Sequence, residues 1–162
     1  MFTVTGNDRG FTLVELVIVV VVLGILAAVA IPKFLDVRQE AEIATVDHMV
    51  SSLESALSIY SSRQFMEGNP VVPHNPFGDL ANVPQNYNGE NNTINVNTTP
   101  VGSWTFRPNG NLVLYRPKAS ITGGWDHGGQ KYIRYQVQAV VDGADTVGLR
   151  LATLPQYEYS WD

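Results

Sequence analysis

The chain has 162 residues, no cysteine and a formal net charge of −5, which excludes a disulfide-stapled scaffold and offers no basic footprint for nucleic acid. One long apolar run near the start leaves room for a single small domain after it. In order, the pattern predicts a leader over residues 1–10, an apolar helix over 11–31, an amphipathic continuation over 32–66, a connecting loop over 67–102 and a sheet region over 103–162.

From Phe11 to Ile31 only Thr12 and Glu15 are polar. About 21 residues rising roughly 1.5 Å each give about 31 Å, enough to cross the hydrocarbon of a bilayer. Glu15 breaks this run, and a carboxylate inside a span costs at least about 2.5 kcal/mol on insertion scales. Such an acid calls for a partner. A secretory signal peptide cut at Ala28-Val29-Ala30 is the competing account of the segment. It fits less well, because the run exceeds the usual apolar core, contains Glu15, and follows a leader in which Asp8 cancels Arg9. A plain single-span anchor is the other bland account.

Beyond the span, Pro32 lacks an amide hydrogen and crowds the preceding turn, so a bend is expected there, with Gly24 as a second weak point. Val46, Met49, Val50, Leu53, Ala56, Leu57 and Tyr60 then recur at three- and four-residue steps, while Glu42, Asp47, Ser51 and Glu54 fall between them. This is one apolar stripe for packing on a sheet. Gly68, Pro70, Pro73 and Pro76 end the helical pattern, and an Asn-, Pro- and Gly-rich stretch follows to Gly102.

Trp104 to Arg107 and Leu112 to Arg116 flank Pro108-Asn109-Gly110-Asn111, a hairpin signal. A third strand is expected over Tyr132 to Val140, with Tyr135, Val137 and Ala139 on one face. Asp142-Gly143-Ala144-Asp145 turns the chain into a fourth, Thr146 to Leu154. The order of elements predicts an α+β fold, a long helix laid on a small antiparallel sheet of about four strands. The aromatic tail from Tyr157 to Trp161 reads as an added edge strand or as an exposed contact stripe.

Catalytic constellations are missing from the pattern: His48, His74 and His127 are scattered, and no nucleotide-binding glycine motif occurs. The chain reads as structural, not as an enzyme. Within Gly123-Gly124-Trp125-Asp126-His127-Gly128-Gly129, Asp126 is the weak calcium candidate. Calcium wants six to eight oxygens, and Asp126 stands alone locally, so a glycine-rich turn without a cofactor is the expectation.

Arg9-Gly10-Phe11-Thr12-Leu13-Val14-Glu15-Leu16, with the apolar run and Pro32 after it, resembles the prepilin signature of type IV pilins and type II secretion pseudopilins. That resemblance implies the type IV pilin-like fold, with a helix that is membrane-spanning in one half and amphipathic in the other. It implies cutting after Gly10 and methylation of Phe11 by a prepilin peptidase/methyltransferase. It also implies filament assembly in which Glu15 pairs with the amino terminus of a neighbour. The expected setting is a single pass in the bacterial inner membrane with the soluble domain in the periplasm. An assembly platform and other pilins or pseudopilins are the expected partners. Pro32-Lys33-Phe34-Leu35-Asp36 and Ala41 to Val46 resemble the mannose-sensitive haemagglutinin branch, so a surface pilin used in adhesion is the alternative. A lone membrane-anchored binding domain using the Asn-rich loop is the alternative of another class.

Overall fold

The computed structural model describes residues 10–162, and residues 1–9, which hold most of the expected leader and its Arg9, lie outside the described residues. Two units are distinguished, one ending at Ala41 and one spanning Glu42–Asp162. Helix α1 runs Leu13–Glu67 and passes through Gly24 and Pro32 without losing helical structure. Val19 to Val22 are poor helix formers in water, but an apolar medium leaves a helix as the way to satisfy every amide within one segment.

In the first unit the large apolar side chains from Leu13 to Val37 are exposed all round the helix. This is the one helix among the described residues long and apolar enough to cross a membrane.

In the second unit the expected stripe is the buried one. Val46, Leu53, Ala56 and Leu57 are buried, and Met49, Val50 and Tyr60 pack beside them. Ser61 extends this stripe, its hydroxyl donating to the Leu57 carbonyl at 2.7 Å. The helix ends on Gly68, whose φ of +71° admits a left-handed turn. Gly68 N donates to Phe65 O at 3.3 Å and Asn69 N to Gln64 O at 2.9 Å, the paired closure of a Schellman motif.

The sheet is broader than the four antiparallel strands expected. The four antiparallel strands read from the sequence do form: β2 (Ser103–Arg107), β3 (Leu112–Arg116), β6 (Gln130–Asp142) and β7 (Asp145–Ala152), in the order β2-β3-β6-β7. To these, β1 (Tyr87–Glu90) adds in parallel beside β2, and β5 (Trp125–His127) pairs with β6. A separate ribbon joins β4 (Ile121–Gly123) to β8 (Tyr159–Trp161). The added strands are three or four residues long, too short for alternation to mark them. β1 lies inside the Asn-rich connection, which thus contributes to the sheet.

Trp104, Phe106, Val113, Tyr115, Ile133, Tyr135, Val137, Leu149 and Leu151 form the core with the helix stripe. Phe77, fully buried in a 3-10 turn at Pro76–Asp79, stacks on Tyr87 with ring centroids 4.1 Å apart. Ala139 shares the alternation of Tyr135 and Val137 but is exposed, because the β6–β7 hairpin extends past the core. Tyr159 and Trp161 pack against the core cluster, so the tail is an edge strand and its rings face inward. Gly123 is required where this ribbon closes: an added Cβ would lie 2.2 Å from the Glu158 carbonyl oxygen.

The opposite sheet face is covered too. Ile94, from the connection, is buried with Leu112, Leu114 and Tyr132. Arg116 Nη1 donates to the carbonyls of Val96, at 2.7 Å, and Thr99, tying the connection down.

Candidate functional site

The amino-terminal segment builds the site. Gly10, Phe11 and Thr12 precede the first turn, and Phe11 is 79% exposed. Thr12 is the cap. Its hydroxyl accepts from Glu15 N at 3.2 Å, while Glu15 Oε2 accepts from Thr12 N at 2.9 Å and from the Thr12 hydroxyl at 2.8 Å. This reciprocal arrangement is a capping box, which satisfies two amides that an α-helix start leaves without partners.

Glu15 therefore has a local partner that the reading of it as an acid stranded in lipid did not include. The Thr-x-x-Glu spacing was the available signal. Both bonds fall on Oε2, and Oε1 has no partner among the described residues. One carboxylate oxygen thus closes the helix start while the other takes no part in the box. The helix start itself favours the carboxylate, since its amides carry partial positive charge.

Gly24 and Pro32 lie farther along the same helix. A Cβ at Gly24 would meet nothing within 4 Å, so no packing within the described chain demands glycine there. Pro32 is accommodated in α1.

Asp126 belongs elsewhere, to the β5–β6 hairpin. Its Oδ1 accepts from Gly129 N at 3.2 Å, and Lys131 Nζ stands 3.8 Å from Oδ2. Gly128 and Gly129, with φ of +61° and +76°, make the turn between them. Among the described residues no group of three or more His, Cys, Asp or Glu converges as metal ligands would. His74 and His127 are likewise engaged in the fold, with Asp79 Oδ2 at 2.5 Å and the Ile94 carbonyl at 3.0 Å.

Residues 5–31 match the prokaryotic N-terminal methylation motif. The match is confined to this amino-terminal segment, the part in which the chain is similar to type IV pilins and type II secretion pseudopilins. It is 47% identical over 51 residues to a type IV narrow pilus major component of Thermus thermophilus, covering 32% of this chain and 44% of that protein. To a fimbrial protein of Pseudomonas aeruginosa it is 39% identical over 65 residues, 40% of each chain. To a type II secretion system core protein G of the same species it is 29% identical over 103 residues, 60% of this chain and 69% of that one. The chain thus spans less than half the length of the two pilin relatives. No solved structure matches it significantly.

The family resemblance and the geometry agree on what is structural. A long amino-terminal helix with an apolar half and an amphipathic half, packed by the latter on a sheet, is the α+β architecture of a type IV pilin.

Proposed function

We propose that this chain is a structural subunit of a type II secretion or type IV pilus-type filament, trimmed after Gly10 and methylated at Phe11. The observation that carries the reading is the first unit itself: a helix apolar on every side, with one acid, Glu15, held at its start by Thr12. A helix exposed all round has two stable environments, lipid or the apolar helices of neighbouring subunits. In the proposed mechanism the subunit waits as a single-pass protein of the bacterial inner membrane, its second unit in the periplasm. A prepilin peptidase/methyltransferase frees and methylates the Phe11 amine. An assembly platform then moves the helix into the filament, where Glu15 Oε1 meets the terminal amine of the next subunit. An ion pair in apolar surroundings is costly to leave half made, so this contact selects the axial register. Gly24 and Pro32 supply the points at which the packed helix bends. The role needs no cofactor and no catalysis.

A match long enough to reach well beyond the helix, over 103 residues, is to a secretion core protein G, and it favours the secretion arm of the proposal. A surface pilin of the mannose-sensitive haemagglutinin type differs in where the filament ends, and imaging intact cells for a surface filament containing this chain separates the two. The lone binding domain is disfavoured by the way Ile94, Val96 and Thr99 of the Asn-rich connection are committed to the sheet.

The direct test uses Glu15→Gln beside Glu15→Ala. Glutamine keeps an acceptor for the Thr12 amide but cannot carry charge. Both variants are expected to insert and to give a mature chain whose mass starts at methylated Phe11, and both to lose most of their filament. Normal filament yield from Glu15→Gln would show that capping alone is the role of Glu15.

A further inference from the structure

Beside the patch that Ile94 covers, the sheet face opposite α1 is rich in arginine. Cross-strand register places Arg107, Arg116, Arg134 and Arg150 on it together with Gln136 and Gln138, since Ser103 faces Arg116, Arg107 faces Leu112, Leu112 faces Gln136, Leu114 faces Arg134 and Gln138 faces Arg150. In a chain of net charge −5 this is an uneven distribution. The two ion pairs seen among the described residues, His74 with Asp79 and Lys131 with Asp126, include none of these arginines. Arg116 is spent on the carbonyls of Val96 and Thr99 and on Gln130. Arg134 lies over the rings of Tyr157, at 4.2 Å, and Trp125, at 5.8 Å. Arg107 and Arg134 each hold a buried Nε without a hydrogen-bond partner, and exposed Arg150 has only a long contact of 3.5 Å to Gln138.

The complementary feature is the tip of the β6–β7 hairpin. Asp142 and Asp145 stand directly opposite each other there, both exposed, with no ion pair among the described residues. Like charges facing across a strand pair are unfavourable unless a cation joins them. Arg150, five residues along β7, is about 17 Å away at roughly 3.4 Å per residue, twice the screening length of about 8 Å at physiological salt. The molecule's own sheet arginine therefore does not neutralise its tip. Around the acids, Val140, Val141 and Val147 are 38%, 64% and 48% exposed, the apolar surface expected of a contact that becomes buried.

We propose that the acidic hairpin tip of one copy, centred on Asp142 and Asp145, docks on the arginine face of a second copy, against Arg107 and Arg150. The two surfaces differ, so the contact is heterologous and propagates from copy to copy instead of closing into a pair. It rests on the filament reading above and adds to it a lateral, electrostatic contact between second units. Complementary charge of this kind fixes register and suppresses wrong neighbours.

Charge exchange in the full-length chain tests it. Arg107→Glu with Arg150→Glu, and separately Asp142→Arg with Asp145→Arg, are each expected to lower filament yield roughly tenfold or more, because they set like charges against one another. Arg134 is left alone because it packs on Trp125 and Tyr157. The four substitutions combined in one chain are expected to restore filaments to near the wild-type yield. Protease resistance of the second unit checks that each variant folds, and Asp142→Asn with Asp145→Asn, a milder pair, is expected to give filaments that dissociate at lower salt than wild type. Failure of the combined variant to exceed the two reversals overturns the contact. So does normal assembly of the Asp142→Arg, Asp145→Arg chain, and loss confined to the arginine variants assigns the face to an acidic partner other than this protein. The parent reading fails separately, if the unmodified chain makes no filament.

Discussion

At the scale of single residues, Glu42 shows how a surface-looking acid becomes structural. One carboxylate oxygen accepts from the Tyr115 hydroxyl and from Lys118 N, both at 2.7 Å, and the other accepts from Ala119 N at 2.8 Å. Three donors converging on one ionised group make it a clasp between α1 and the segment after β3. Hydrogen bonds to charged groups contribute about 1.5–3 kcal/mol, and these are only part-buried, so Glu42→Ala is expected to cost about 2–3 kcal/mol in all. Glu42→Gln should lose less, since one acceptor oxygen remains. Chemical denaturation followed by tryptophan fluorescence measures both. In the sequence Glu42 reads as a polar residue on the solvent side of the stripe, because its donors lie 73 to 77 positions away. The Thr12–Glu15 box was legible from a spacing of three, and Asp126, in β5, meets Gly129 and Lys131, its near neighbours in the chain. Local chemistry shows in sequence; contacts set by the fold do not.

Among the elements, the long ones were legible and the short ones were not. The helix stripe, the β2–β3 hairpin and the β6–β7 pair each repeat their pattern several times. β1 rests on a parallel pairing with β2, and its Asn and Gly residues are poor strand formers, so tertiary contact overrides preference there. The second core under Ile94 had one signal: Leu112-Val113-Leu114-Tyr115 is an unbroken apolar run, which marks a strand buried on both faces. The apolar half of α1 carries its own prediction. With open space where a Cβ would go, Gly24→Ala is accepted sterically and is expected to stabilise that turn by about 1 kcal/mol. Amide exchange around residue 24 in detergent should slow, while insertion and trimming stay unchanged. If the bend is used in the filament, the same substitution lowers filament yield.

For the second unit as a whole, alkaline pH is the informative stress. Burial first, then the hydrogen bond to Glu42, raises the Tyr115 pKa well above the ordinary tyrosine value. Burial first, then the contact with the Tyr159 hydroxyl at 2.8 Å, does the same for Tyr135. Below about pH 10 both phenols are protonated whether the chain is folded or not, and their stabilising effect is complete. Above it the unfolded chain ionises first, so stability declines as pH rises toward the folded values. The thermal midpoint is expected to fall from about pH 10 upward, with a shallower fall for Tyr135→Phe, which removes one of these ionisations.

The Glu42 clasp has a mechanical consequence. In the proposed filament a subunit is pulled through its helix, and Glu42 is the first residue of the second unit. Because Lys118 and Ala119 offer consecutive amides to the two oxygens of one side chain, tension arriving along α1 is shared among the bonds instead of opening them in turn. Such a joint yields as a unit or not at all, and the force it bears before slipping should drop abruptly, not gradually, when that single carboxylate is removed.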